Sequence, residues 1–311
     1  MSGDDKVNDQ SHRAMRASLL ERAADRWQLG PKPDLPPVAM PDLPPPPPIA
    51  VSNAKAPPRK MPSARIRPVD PARIDRDMLA EAGMLVPGGP VTALAEEFRL
   101  VKRQLLTTAA DIEKCDPDAA RMILVCSAQP GDGKTFCAIN LALSLAAERD
   151  LQILLVDADF PKPDILDRLG LPASKGLLDA LGDPAIDVEE LVIPTDVPQL
   201  SVLPAGKRTN ADTELLRSDH AQDVMQRLLT ADPDRIVIFD SPPALAASPA
   251  AVLASLVGQT VLVVRADRSS ESDLREAVAL LDGCDDIQLL LNATTYRAEG
   301  ARFGYYGQEQ E

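Results

Sequence analysis

The stretch that most constrains this 311-residue chain is AQPGDGKT at residues 128–135. An apolar run at 122–125 precedes it, and a run with helical periodicity at 138–146 follows it. Gly131 and Gly133 allow backbone N–H groups to converge on phosphate oxygens, and the start of the next helix adds partial positive charge. A strand, a glycine-rich turn, Gly-Lys-Thr and a helix in this order predict a phosphate-binding loop.

The last residues of this loop have distinct expected roles. Lys134 is expected to reach the β- and γ-phosphates, and Thr135 to offer its hydroxyl to Mg²⁺. Ala128 stands where the first glycine of the motif usually lies. Asn292 ends the last predicted strand, where its amide could read a nucleobase edge or serve only as a turn residue. The residues predicted to bind ATP are Gln129, Pro130, Gly131, Asp132, Gly133, Lys134, Thr135, Phe136 and Asn292.

Short apolar runs and helical segments alternate through the rest of the chain. The expected strands are 122–126, 153–156, 200–203, 236–239, 261–264 and 287–291, and the expected helices are 134–148, 163–169, 175–181, 211–230, 247–257 and 270–282. Strands that are apolar along their whole length are typical of parallel sheets covered on both faces. The pattern predicts a doubly wound, mostly parallel α/β fold that binds its ligand at the carboxyl ends of the strands.

Three carboxylates follow two of these strands. Asp157 and Asp159 come directly after the second strand, and Asp240 ends the fourth. Three carboxylates at strand ends beside a triphosphate predict a Mg²⁺ site, in which Asp240 would hold the metal or its water. Each aspartate alone could instead be a turn residue or a helix cap.

The N-terminal region differs in composition from the rest. Residues 1–90 hold 17 of the 30 prolines, and they include a possible amphipathic helix at 11–29 and a proline-rich spacer at 31–72. The amphipathic helix could lack a partner, or it could dock on a protein or an anionic lipid surface. We therefore expect an N-terminal region at 1–90, which ends in a helical lead-in, then a folded domain at 91–293 and a flexible tail at 294–311.

Charge and cysteine usage exclude several classes of protein. The chain has a net charge of −14, and the acidic excess lies after residue 90, which disfavours nucleic acid as a partner. The four cysteines show no zinc or disulfide spacing, and no apolar run is long enough to span a membrane. These features favour a cytoplasmic protein, unless a partner holds it at the inner face of the membrane.

Two further features lie outside the loop. All three tyrosines, Tyr296, Tyr305 and Tyr306, fall within the last 16 residues, so the tail is either incidental or a tyrosine substrate for a triphosphate site. A helix expected from residue 92 or 93 to about 110 carries Glu96, Arg99 and Lys102 at spacings of three. Such a row is usually a solvated face with intrahelical ion pairs.

The residues resemble the bacterial tyrosine kinases of the P-loop type, which are similar to MinD-like ATPases in fold. Walker A, Walker A′ and Walker B patterns correspond to 128–135, 153–159 and 236–243, and the tyrosine tail to 296–306. The helix at 92–110 resembles the family's ExxRxxR motif, with lysine in place of the second arginine. Segments 97–103, 210–216 and 234–243 are most similar to the exosortase-associated tyrosine autokinases of exopolysaccharide loci.

The resemblance implies an ATP- and Mg²⁺-dependent tyrosine autokinase of exopolysaccharide synthesis or export. Lys134 and Thr135 would bind phosphates and Mg²⁺, and Asp157 would accept the tyrosine proton or orient the hydroxyl. Asp159 and Asp240 would complete the Mg²⁺ site with Thr135. Tyr296, Tyr305 and Tyr306 would be the phosphoacceptors. It also implies a homo-oligomeric ring formed through Glu96, Arg99 and Lys102, a membrane co-polymerase (chain-length determinant) as activator, and a tyrosine phosphatase as partner.

Two departures and two rival readings remain. Where the family often has two arginines after the second acid of Walker A′, this chain has Pro161 and Lys162, and its tail has few tyrosines. A ParA- or MinD-type ATPase without kinase activity is one rival, although Gln129 replaces the second lysine of those proteins. The other is a non-catalytic regulatory subunit of a polysaccharide export complex, which the intact Lys134 and acidic residues argue against.

Overall fold

A computed structural model describes residues 70–209 and 211–294. The predicted N-terminal helix, the proline-rich spacer up to residue 69 and all three tail tyrosines lie outside these residues. Among the described helices, none combines the length and the apolar character that crossing a bilayer requires.

The described residues form one seven-stranded sheet with helices on both faces. The strands are β1 (Met122–Ser127), β2 (Gln152–Asp157), β3 (Ile193–Pro194), β4 (Leu200–Leu203), β5 (Arg235–Asp240), β6 (Gln259–Arg265) and β7 (Asp286–Asn292). The helices are α1 (Arg76–Glu81), α2 (Ala93–Ile112), α3 (Lys134–Leu145), α4 (Ile165–Leu169), α5 (Leu177–Gly182), α6 (Asp212–Leu216), α7 (Asp219–Thr230), α8 (Pro249–Ala254) and α9 (Glu271–Leu280). Short 3₁₀ turns occupy Ala119–Arg121 and Val188–Leu191.

The strand order explains why the predicted site residues meet. The order is β3-β4-β2-β5-β1-β6-β7, and all neighbours are parallel except β3 and β4. Because β5 lies between β1 and β2, the ends of these three strands are adjacent. In the register, Asp240 pairs with Val125 on one side and with Asp157 on the other. The predicted doubly wound, mostly parallel α/β fold is confirmed.

Each central strand supplies side chains to both faces of the sheet. In β1, Leu124 and Cys126 pack towards helices α5 to α9, whereas Ile123 and Val125 pack towards α1 to α4. This alternation gives two apolar cores, and it is the reason that the strands read as continuous apolar runs. Burial raises the pKa of the Cys126 thiol to about 11, so this cysteine is an unreactive core residue.

Several boundaries differ from the prediction. The expected helix at 211–230 is divided into α6 and α7, because the Ser218 side chain accepts a hydrogen bond from the Ala221 N–H group and starts a new helix. Strand β3 was not predicted, since two residues carry no periodicity. Ile74 and Leu79 are fully buried in the core beside α3, so the described fold begins well before the boundary expected at residue 91.

Candidate active site

The loop between β1 and α3 has the backbone form that its glycines require. Gly131 and Gly133 adopt φ of 84° and 97°, which side-chain-bearing residues rarely tolerate. A Cβ atom on Gly133 would lie 2.1 Å from the Asn292 amide nitrogen. Ala128 is fully buried and needs no positive φ. The replacement of the first glycine by Ala128 therefore leaves the loop conformation unstrained.

Side chains inside and behind the loop hold its backbone. Asp132 is buried within the loop, and its carboxylate accepts a 3.1 Å hydrogen bond from the Gln129 N–H group. Behind the loop, Asn292 Nδ2 donates to the Asp132 carbonyl oxygen at 2.9 Å, and an Arg265 terminal nitrogen donates to the Gly131 carbonyl oxygen at 2.8 Å. In this structure Asn292 thus orients the loop, whereas its predicted contact with the nucleobase stays a prediction.

Lys134 begins α3 and points into a buried group of acids. Its Nζ donates to Asp159 and lies 4.0 Å from an Asp240 carboxylate oxygen. Burial alone would lower the pKa of Lys134, but the negative charges of Asp240 and Asp159 raise it above its ordinary value. Lys134 is therefore a charged lysine held by two carboxylates.

Asp240 is completely buried at the end of β5. Within 70–209 and 211–294, neither of its carboxylate oxygens finds a hydrogen-bond partner. Burial, together with the charge of Asp159, raises its pKa to about 6, although Lys134 opposes the rise. A buried carboxylate with two unsatisfied oxygens is costly, so this position is explained best by a ligand that it binds.

Asp157 differs from Asp240 because its carboxylate is occupied. One of its oxygens accepts 3.1 Å hydrogen bonds from the N–H groups of Asp164 and Ile165, at the start of α4. The helix-cap role considered for a strand-end aspartate is therefore present here. Burial and the charge of Asp240 nevertheless raise the pKa of Asp157 to about 7, so it can exchange a proton near neutral pH.

Of this group of charged side chains, Lys134 and Asp159 line a cleft of about 330 Å³. The phosphate-binding loop and the first residues of α3, including Thr135 and Phe136, form one wall. Residues 159–168 and 242–247 contribute the others. The loop and the strand-end acids lie together at one edge of the sheet, as the sequence predicts. The role of each residue stays a prediction.

Comparison with known proteins agrees with this arrangement. The AAA domain family model matches residues 120–274. The chain is 29% identical to tyrosine-protein kinase YwqD of Bacillus subtilis over 220 residues, which cover 70% of this chain and 91% of that protein. It is 32% identical over 192 residues to the putative tyrosine-protein kinase EpsB of Ralstonia nicotianae. That match covers 60% of this chain and only 25% of EpsB.

The curated relatives that this chain matches are bacterial tyrosine-protein kinases. Among solved structures, the BceF tyrosine kinase domain matches with a TM-score of 0.53 and 26% identity, covering 63% of this chain and 76% of that domain. P-loop kinases bind a nucleotide, typically with a divalent metal. The cleft of this chain can accordingly be tested for its fit to both ligands.

The cleft fits a metal that is shared between protein and nucleotide. In the described parts of the chain, no three acidic, histidine or cysteine side chains are grouped closely enough to hold a metal by themselves. Mg²⁺ is usually held by one or two carboxylates together with phosphate oxygens and waters. The unsatisfied oxygens of Asp240 and the nearby Thr135 hydroxyl suit that arrangement, and Asp159 is the third candidate ligand.

The predicted assembly residues on α2 occupy different environments. Arg99 pairs with Glu96 on the same helix, and 52% of its side chain is exposed. Lys102 is only 12% exposed, because its Nζ contacts Glu148 at 2.6 Å and the Ser144 carbonyl oxygen at 3.1 Å. Lys102 thus fastens α2 to the end of α3, and Arg99 is the more accessible cation of the motif.

Two arginines near the nucleotide loop were missed by sequence reasoning. Arg265 supports the loop from the end of β6, and Arg168 on α4 lines the cleft. Nothing in the sequence around Arg265 marks it as a loop support, since it lies far along the chain. Arg168 follows Asp164 at the i,i+4 spacing of a helical ion pair, which was a usable signal for its position.

Proposed function

We propose that this protein is an ATP-dependent tyrosine autokinase that phosphorylates Tyr296, Tyr305 and Tyr306 of its own tail or of a neighbouring copy's tail. The observation that carries the proposal is the group of charged side chains at the strand ends, where Lys134 contacts Asp159 and lies close to Asp240 beside the phosphate-binding loop. The names of the relatives YwqD and EpsB as tyrosine-protein kinases support the same reaction.

In the proposed reaction, the tyrosine hydroxyl oxygen attacks the γ-phosphorus of ATP. A new P–O bond forms, the bond to the β,γ-bridging oxygen breaks, and ADP leaves. Lys134 exchanges its contact with Asp159 for the phosphate oxygens and neutralises charge that develops during transfer. Bound Mg²⁺ supplies further charge neutralisation, and Thr135, Asp159 and Asp240 are the residues that would hold it.

Asp157 is proposed to accept the phenol proton. A tyrosine of pKa about 10 is a weak nucleophile at neutral pH, so a nearby carboxylate assists the transfer. The pKa of Asp157 of about 7 suits this role better than an ordinary aspartate would. Asp157→Asn keeps an acceptor oxygen for the start of α4 while it removes the base. We therefore expect it to bind nucleotide and to lose phosphorylation.

The decisive experiment is incubation of the purified full chain with ATP and Mg²⁺, followed by mass spectrometry of its phosphopeptides. Phosphate on residues 296–306 of the wild type, and none on Lys134→Met at an equal circular dichroism signal, is the expected result. Phosphate found only at other residues, or nowhere, would overturn the proposal. The second outcome would favour a ParA- or MinD-like ATPase or a regulatory subunit.

We further propose that subunits assemble in a ring through α2, in which each tail enters a neighbour's cleft. Arg99 is accessible enough to serve as the contact, while Lys102 supports the helix from behind. Mixing Arg99→Ala with Lys134→Met tests the idea, because trans-phosphorylation of the inactive chain should slow. Arg275→Ala is the matched control, since Arg275 forms a similar exposed helical pair with Glu271. Equal rates in both mixtures would exclude this helix as the contact.

The cellular role is proposed from the resemblance of segments 97–103, 210–216 and 234–243 to the exosortase-associated autokinases. We propose that phosphorylation regulates exopolysaccharide synthesis or export in an exosortase-associated locus. A membrane co-polymerase protein would recruit the kinase to the inner face of the membrane and activate it, and a tyrosine phosphatase would reverse the modification. Added phosphates would repel one another and loosen the ring, because each phosphotyrosine carries about −1.5 to −2 charges.

A further inference from the structure

The basic side chains of the cleft are arranged differently from the pattern that the sequence led us to expect. Pro161 and Lys162 stand where the family often has two arginines, so no guanidinium is available at that point. The described lining of the cleft nevertheless contains three basic side chains, Lys134, Lys162 and Arg168. Arg168 is the only arginine among them.

The backbone that carries Arg168 is firmly fixed. Helix α4 begins on the two hydrogen bonds that the Asp157 carboxylate accepts. Ile165 and Leu169 of the same helix are fully buried in the core. Arg168 is therefore coupled to an acid of the site through one short, well-packed helix.

One nitrogen of the Arg168 guanidinium group forms a hydrogen bond, and this contact orients the group. Its Nε donates to Asp164 at 2.5 Å, and 38% of the side chain is exposed. Across residues 70–209 and 211–294, its two terminal nitrogens have no hydrogen-bond acceptor. By contrast, Arg227 and Arg235 each use a terminal nitrogen to bind a carboxylate. Arg168 therefore presents a free planar fork of the kind that binds phosphate oxygens in pairs.

Residues 159–168 contribute two basic side chains to the lining of the cleft, Lys162 and Arg168. Lys162 is a weaker candidate for binding phosphate oxygens, because it is exposed and no described carboxylate holds it in place. Its ammonium group is also a point charge that cannot contact two oxygens as a planar fork does.

We propose that Arg168 binds the terminal phosphoryl group of the nucleotide. The proposal rests on the proposed function in one respect, namely that the nucleotide is a triphosphate. Its chemistry requires contact with the γ-phosphate, which a diphosphate lacks. Arg168 should therefore distinguish the triphosphate from the diphosphate.

Nucleotide binding by the full chain tests this without requiring catalysis. Affinities for ADP and for a non-hydrolysable ATP analogue, both with Mg²⁺, would be measured by calorimetry for Arg168→Gln, Arg168→Lys and wild type. A lost charged contact should weaken the analogue about 10-fold or more and leave ADP within about 2-fold. Arg168→Lys should recover only part of the loss. Arg275→Gln, which breaks a similar helical pair on α9, is the control and should match the wild type.

The opposite results are equally clear. If Arg168→Gln weakens both nucleotides equally, Arg168 supports α4 and the proposal is wrong. It is also wrong if the affinities do not change, or if Lys162→Gln alone removes the preference for the triphosphate. Arg168→Lys keeps the test valid if Arg168→Gln does not fold. A wild-type protein that prefers the triphosphate through Arg168 but forms no phosphotyrosine would refute the kinase proposal and leave this one standing.

Discussion

Strand β5 connects two groups of charged side chains that are built in opposite ways. It begins at Arg235, which pairs with Glu189 at 2.5 Å beside the Arg227–Asp187 pair at 2.9 Å. We call these the amino-end pairs. It ends at Asp240 in the cleft cluster, which consists of Lys134, Asp157, Asp159 and Asp240. The amino-end pairs match each base with one acid, whereas the cleft cluster has three acids and one base.

The pKa values show what this difference means. At the amino end, the hydrogen bonds and charge of Arg227 outweigh burial and lower the pKa of Asp187. In the cleft, burial and neighbouring acids raise the pKa of Asp240 to about 6 and that of Asp157 to about 7. Paired charges support the folded state, while an acid-rich buried cluster opposes it until cationic ligands arrive. The amino-end pairs at the start of β5 thus stabilise the fold, whereas the cleft cluster at its end is suited to binding a cationic ligand.

The largest expected effect is on the single base of the cleft cluster. Lys134→Met should reduce tail phosphorylation by more than about 100-fold, because it removes the positive charge that faces the transferred phosphate. Circular dichroism should remain unchanged, since the neighbouring acids can take up protons. Lys114→Met, which removes an exposed lysine paired with Asp111, is the control. Comparable phosphotyrosine in both variants would show that Lys134 has no role in transfer.

A second large effect concerns stability, and its sign distinguishes the two groups. Asp240 has a folded pKa above its unfolded value, so the unfolded chain releases this proton first and the free energy of unfolding falls as pH rises from about 4 to 6. Asp240→Asn should therefore stabilise the nucleotide-free protein at pH 8 by about 1 to 3 kcal/mol, while it impairs catalysis. At pH 4 the gain should nearly vanish.

Denaturant unfolding at both pH values, without nucleotide or metal, measures this effect. Asp187→Asn provides the opposite control, because the lowered pKa of Asp187 means that its charge stabilises the fold above its unfolded pKa. That variant should lose stability at pH 8. Destabilisation by both substitutions would remove the distinction between the two ends of β5.

An intermediate effect is expected at the start of the same strand. Arg235 is 12% exposed, and besides Glu189 it contacts the Leu228 carbonyl oxygen at 3.0 Å. Arg235→Gln should cost about 2 kcal/mol in the free energy of unfolding, because it leaves Glu189 without its partner. Nucleotide affinity should not change. A lower affinity for nucleotide in a fully folded Arg235→Gln variant would contradict the inference that this pair contributes to stability and not to binding.

The same contrast explains what could be predicted from the sequence. The cleft cluster was predictable because each member follows a recognisable apolar strand or glycine turn, and parallel strands bring their carboxyl ends together. Arg265 was not predictable, since its contact with Gly131 joins residues that are distant in sequence. The sequence indicated only a helical lead-in at the position of α1, because a six-residue helix shows too little periodicity to predict that Leu79 is buried in the core. Strand β3, at residues 193–194, is too short to show the periodicity of a strand.

The smallest expected effect on stability concerns the exposed pair on α2. Glu96 and Arg99 lie three residues apart on a solvated face, and such pairs contribute only a few tenths of a kcal/mol. Arg99→Ala should therefore lower the melting temperature by no more than about 1 °C, as should the control Arg275→Ala. Only Arg99→Ala should reduce the oligomer mass found by light scattering, because only α2 is proposed to join subunits. A large loss of stability in Arg99→Ala would instead make this residue a structural support like Lys102. An unchanged mass of an oligomeric wild type would place the subunit contact elsewhere.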